Sequence, residues 1–247
     1  MTQVVMSKNS ARKKPAESTD RQGRTALLVL GMHRSGTSAL GGVLARLGAA
    51  APKSLMQPNQ HNPRGYWESI EIMRLNDEIL RSAGSRWNDW GRFNPDWLES
   101  MVSAEFERRI DAAILAEYGD SPLFVLKDPR IAKILPLWLR SFERLGITSK
   151  ALLPIRHPHE VASSLGERNN FGRNRSLLLW LRHVLDAEKD SRGLGRVFLQ
   201  YDDLLSDWRS VMSSAAAQLN IKWPKWSDDG EFQISDFLSS ELRHHVA

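Results

Sequence analysis

One stretch of this chain carries residue types and spacing suited to gripping an anion. It is Gly31-Met32-His33-Arg34-Ser35-Gly36-Thr37-Ser38, directly after the apolar run Ala26–Leu30 and directly before a helical pattern. Glycines let a backbone turn sharply and approach a ligand closely. Loop amides and the positive end of the following helix then face the anion. The spacing fits G-x-x-x-x-G-K-[ST] at every fixed position but one, because Thr37 stands where the lysine belongs. That lysine reaches the outer phosphates of a nucleoside triphosphate, so its absence counts against ATP or GTP. The cation here is Arg34, inside the loop, suited to stabilising charge that grows on a bridging oxygen. His33, Arg34, Ser35, Gly36, Thr37 and Ser38 are the anion-binding candidates.

The elements that must position this loop are legible as alternating patterns. Four short apolar runs read as buried strands: 26–30, 123–126, 151–155 and 196–200. Pro154 weakens the third, since proline cannot donate to a ladder. Residues 37–47, 177–187 and 204–219 read as amphipathic helices. Asn94-Pro95 reads as the start of another, with Leu98, Val102, Phe106, Ile110 and Ile114 on its face. The expectation is an α/β fold: a P-loop-like parallel sheet of about four to five strands, flanked by helices on both faces. Ligands then sit at the carboxyl ends of the strands. Residues 25–247 are expected to form one domain, after a disordered basic tail over 1–24.

Charge distribution narrows the function classes. The net charge is +5, and the first 24 residues carry six Lys and Arg against two carboxylates. A body near neutral argues against a nucleic-acid binder, which needs a basic stripe on the folded domain. There is no cysteine, so neither disulfides nor thiolate metal sites arise. His157 and His159, and the pair His244 and His245, have poor spacing for a metal, and no metal is expected. No apolar segment is long enough to span a bilayer, and no secretory leader is visible. A cytoplasmic location is the expectation.

The loop motif Arg34-Ser35-Gly36-Thr37-Ser38 resembles the 5′-phosphosulfate loop of the sulfotransferase family. Two further elements, in family order, are similar. Arg156, Pro158 and Ser164 in RHPHEVASS match an arginine at a strand end, then proline and serine. Tyr201-Asp202-Asp203-Leu204 looks like the segment after the last core strand. The likeness spans roughly residues 25–220 and looks most like the bacterial branch. It implies 3′-phosphoadenosine 5′-phosphosulfate (PAPS) as co-substrate, with transfer of its sulfuryl group to a hydroxyl-type acceptor, sugar or other small molecule. It implies that Arg156 and Ser164 hold the 3′-phosphate and that Tyr201 lies near the adenine. The residue types agree, since arginine's planar fork suits a phosphate.

The base that must deprotonate the acceptor is open. Cytosolic family members use a histidine after a lysine at the second core strand. Here that position reads Lys127-Asp128-Pro129-Arg130, without it. Some carbohydrate and protein-tyrosine members use a glutamate after the first helix. Glu68 and Asp128 are therefore candidate bases, with Glu68 slightly preferred, Lys127 as charge stabiliser and His61 as a third candidate. Asp128 could equally cap a helix or pair with Arg130. The family's basic glycine-rich loop is not evident, Arg243 being the nearest basic residue. Trp67, Trp87, Trp90 and Trp97 crowd an irregular stretch, as an acceptor platform or as a satellite apolar cluster. The rival functions are a P-loop small-molecule kinase and a non-catalytic nucleotide-binding module.

Overall fold

A computed structural model describes residues 23–238. The basic tail up to residue 22, Arg243, His244 and His245 lie outside the described residues.

The chain runs β1 (Thr25–Val29), α1 (Thr37–Arg46), α2 (Ile70–Ser82), a 3-10 turn (Pro95–Glu99), α3 (Met101–Tyr118) and β2 (Leu123–Lys127). It continues through α4 (Ile131–Arg144), β3 (Thr148–Ile155), α5 (Pro158–Asn169), α6 (Arg173–Asp190) and β4 (Gly195–Gln200). Three helices follow: α7 (Tyr201–Ser206), α8 (Trp208–Leu219) and α9 (Asp228–Phe237). All four expected strands form, and they make one parallel sheet in the order β2-β1-β3-β4.

Continuous apolar runs are what a sheet covered on both faces needs. Ala26 and Leu28 of β1, with Leu30 just after it, face a core completed by α2, α3 and α4. Leu27 and Val29 face the opposite core, completed by α1, α8 and α9. Pro154 is tolerated because β1 ends at the Val29–Leu152 register. Its missing donor therefore lies beyond the β1 ladder.

Strand order places the loop after β1 at the switch point of the sheet. From β1 the chain crosses to β2 on one side, and β3 lies on the other. The crevice outside the ends of β1 and β3 is where such sheets bind ligands.

Two helix expectations need correction. Asn94-Pro95 opens only the 3-10 turn, and α3 begins at Met101, capped by Ser100, whose hydroxyl accepts from Ser103 N. Val102 is consequently half exposed rather than packed. The stretch 204–219 is two helices, because Asp207 leaves helical geometry (φ −146°) to cap α8 through Ser210 N. Across both helices Leu204, Trp208, Met212, Ala215 and Leu219 are buried, with Val211 partly so. Among the described residues no helix is long and apolar enough to cross a membrane.

Candidate functional site

The loop between β1 and α1 turns through two left-handed residues, Arg34 (φ 70°) and Gly36 (φ 83°). Gly36 is also the N-cap of α1 and offers the first amides no side-chain cap. A Cβ at Gly36 would lie 2.2 Å from the ring of Tyr201, so only glycine fits. The Ser35 hydroxyl is buried with no hydrogen-bond partner among the described residues. Open amides, an orphaned hydroxyl and the positive end of a ten-residue helix together make a seat for an anion.

The second sequence element folds against this loop. β3 ends at Ile155, and Pro158 sets the first turn of α5. Arg34 Nε donates to Ser164 Oγ at 2.7 Å. Arg156 donates from NH1 to the Arg34 carbonyl (3.1 Å) and from Nε to Glu160 Oε2 (2.8 Å). The guanidinium of Arg156 lies 5.0 Å from the centroid of the Tyr201 ring. Arg156 and Glu160 are both buried, so their pair is not the surface ion pair that helical i, i+4 spacing alone suggests. Arg34, Gly36, Thr37, Ser38, Arg156 and Tyr201 thus meet in one cleft at the ends of β1, β3 and β4. Ser164 joins them through Arg34. Burial and then the charge of Arg156 push the Arg34 guanidinium below its ordinary range.

The cleft floor comes from β2 and from the segment between α1 and α2. Lys127 pairs with the Glu68 carboxylate and donates to Ser38 Oγ at 3.1 Å. Asn62 Nδ2 donates to the same hydroxyl at 3.0 Å. Burial raises the carboxyl of Glu68, and the opposing charges of Lys127 and Arg130 do not cancel that effect. A buried carboxyl raised in this way, beside an ammonium and facing a cleft, has the properties of a general base or acid.

Asp128, the other candidate base, does not reach the cleft. It is buried on the opposite side, accepting from Asn76 Nδ2 (2.9 Å), Arg130 N (3.0 Å) and Arg130 NH1 (3.0 Å). The reason is strand alternation: Lys127 points to the α1 side, so its neighbour points to the α2 side. It serves as the turn and pairing group for Arg130. His61 lies at the rim, and its backbone carbonyl accepts from Arg34 NH1 at 2.9 Å. His33 stands edge-on to Trp87, with ring centroids 4.7 Å apart. Its Nε2 has no hydrogen-bond partner among the described residues, and burial favours the neutral imidazole by lowering its affinity for a proton.

The tryptophans do not form one platform. Trp67 packs on Phe237, Trp87 on His33 and Phe171, and Trp97 on Phe93 and Phe106 in the α3 core, while Trp90 is half exposed. Sequence reasoning missed Asn62, Arg64, Arg168 and Phe237, all of which line the cleft. For Arg168 a signal existed, since it follows Ser164 by four residues and so shares its helix face. Among the described residues, five cations line the cleft, Arg34, Arg64, Lys127, Arg156 and Arg168, against one carboxylate, that of Glu68. Among the described residues no group of three His, Asp or Glu side chains is placed to hold a metal ion.

No family model matches the chain, and no curated protein matches it. Among solved structures, the sulfotransferase domain from the Synechococcus PCC 7002 olefin synthase aligns with a TM-score of 0.47 at 16% identity, over 95% of this chain and 93% of its own. The sulfotransferase domain from the curacin biosynthetic pathway aligns with a TM-score of 0.44 at 17% identity, over 84% and 76%. The fold described above rests on strand order and register, independently of these alignments.

Proposed function

We propose that this protein transfers a sulfuryl group from PAPS to a hydroxyl-type acceptor, a sugar or other small molecule. The observation that carries the reading is the junction of two anion cradles at one switch point. The Gly31–Ser38 loop and the Arg156–Ser164 segment are tied by the Arg34–Ser164 and Arg156–Arg34 hydrogen bonds. A nucleotide phosphorylated at both ends of its ribose needs two such cradles side by side, whereas a nucleoside triphosphate needs one long one and a loop lysine. The loop has Thr37 in that place. The orphaned Ser35 hydroxyl and the glycine-only approach at Gly36 fit the 5′ end.

When bound, PAPS supplies an activated sulfuryl group. The chain's own residues do the rest. The loop amides and Thr37 hold the 5′-phosphate, and Arg156 with Ser164 holds the 3′-phosphate. Tyr201, fixed under Arg156, borders the nucleotide. Arg34 places its guanidinium where charge develops on the leaving oxygen. Glu68 takes the proton of the acceptor hydroxyl, and Lys127 fixes that carboxylate while adding positive charge at Ser38. No metal is required for this assignment.

Thermal melts test the reading. 3′-Phosphoadenosine 5′-phosphate should raise the melting temperature more than ATP with magnesium at equal concentration, because binding to the native state alone stabilises by mass action. A larger shift with ATP–magnesium favours a P-loop kinase, and no shift with either rejects both.

A further inference from the structure

Arg168 is a cleft cation that neither anion cradle employs; of the others outside the cradles, Lys127 is held by Glu68 and Arg64 faces Asp236. Along the face of α5, Arg156 precedes the helix at the nucleotide end. Ser164 comes next and grips Arg34. Arg168 lies one turn further on, in the last turn of the helix, about 6 Å beyond Ser164 at the helical rise. It therefore lies further from Arg156 along α5 than Ser164 does, lining the same cleft as Glu68, whose charge acts on it.

The setting of Arg168 calls for an anion. No ion pair within 4.0 Å involves its guanidinium among the described residues. Its Nε donates to the amide oxygen of Asn169 at 2.7 Å, and its plane lies 5.7 Å from the centroid of Trp87. Half-buried against this aromatic wall, the side chain lines the cleft with donors to spare. Burial first, and then the charge of Arg34, press it down to about 10. Those are the marks of a positive charge that the folded protein itself does not balance.

We propose that Arg168 is a specificity residue that binds an oxyanion group on the acceptor, so that the acceptor is a hydroxyl compound bearing a carboxylate, phosphate or sulfate. This rests on the sulfuryl-transfer reading above. A planar guanidinium takes such a group through two parallel hydrogen bonds, and the Trp87 ring beneath it fixes the plane.

The test uses protein saturated with 3′-phosphoadenosine 5′-phosphate, titrated calorimetrically with matched pairs. These are glycerol 3-phosphate against glycerol, glucuronate against glucose, and 4-hydroxybenzoate against 4-hydroxybenzyl alcohol. Wild-type protein is expected to prefer the charged member of at least one pair by about tenfold or more, the worth of a charge-assisted bond. The preferred pair identifies the oxyanion. Arg168→Gln should abolish the preference, Arg168→Lys should restore part of it, and neither should shift affinity for the bisphosphate more than about twofold. No preference in any pair with wild-type protein overturns the proposal. So does a loss of bisphosphate affinity in Arg168→Gln, which assigns the side chain to the nucleotide. Failure of wild-type protein to bind the bisphosphate at all is the separate failure of the underlying reading.

Discussion

The two ends of the cleft are built on different principles. At the nucleotide end, each group stands at a strand end or in the first turns of a helix, and the groups hold one another. Arg34 meets Ser164, Arg156 meets Glu160 and the Arg34 carbonyl, and Tyr201 fills the space left by Gly36. At the acceptor end, His61, Asn62, Tyr66 and Glu68 ride on the irregular segment between α1 and α2. That segment is fastened by scattered long-range bonds: Ser54 N to Glu117 Oε2 (2.9 Å), Met56 N to the Glu68 carbonyl (2.8 Å) and Ile70 N to the Ser54 carbonyl (2.8 Å). On the proposed reading, rigid elements hold the nucleotide, while a loop carries the chemistry of the acceptor. Such a division lets acceptor choice change without disturbing the donor site.

The comparison can be broken most sharply at Glu68. Glu68→Gln should lower kcat by about 10²–10⁴, the usual worth of a positioned base, and leave bisphosphate binding nearly unchanged. Its carboxyl is raised above 4.5 by burial, so the acid limb of the kcat/KM profile should inflect above 4.5 and vanish in the variant. Stability follows with a defined sign. Below 4.5 the group is protonated in both states. As pH rises from there through the raised native value, the native state holds a proton that the unfolded chain has lost, and that contribution to stability disappears. Urea melts across this window should show the decline in wild-type protein and not in Glu68→Gln. A full rate in the variant would remove the base from Glu68.

Arg34→Ala probes the seam between the two ends. Loss of a single charge-stabilising donor costs about 10²–10³ in kcat. The variant also frees Ser164, so affinity for the bisphosphate should fall by a smaller factor. An unchanged kcat with affinity alone reduced would move Arg34 wholly into the nucleotide cradle.

What could be read in advance divides along the same line. The strands and the loop are local signals, apolar runs and glycine spacing, and Arg156 with Ser164 entered through the resemblance of the segment around Pro158. The Lys127–Glu68 pair joins residues from different elements, and no local pattern announces it. Asp128 stayed open between base and partner of Arg130, because the direction of its side chain depends on which face Lys127 takes; the structure shows the pairing with Arg130. The break at Asp207 was legible, since aspartate is a favoured helix N-cap, but the apolar spacing of Leu204, Trp208, Met212, Ala215 and Leu219 runs through it and hid the interruption. Arg168 was legible too, by its i+4 relation to Ser164, and was passed over because no motif claimed it.

The smallest expected effect sharpens the nucleotide end alone. Gly36→Ala places a Cβ in a left-handed residue, at about 1–2 kcal/mol, and drives it into the Tyr201 ring. At about 2–4 °C per kcal/mol for a chain of this size, the backbone cost alone should lower the melting temperature by about 2–8 °C, and the clash should add to that. Because the displaced ring lies under Arg156, bisphosphate affinity should weaken as well, while the Glu68 inflection in the pH profile stays in place. The steric and backbone parts separate in a double-mutant cycle. In a Tyr201→Ala background the clash is gone and only the cost of the left-handed backbone remains, so Gly36→Ala should then lose less stability than in wild-type protein. Equal losses in both backgrounds would mean that the glycine is there for the backbone turn alone, and that Tyr201 does not transmit the loop's shape to Arg156.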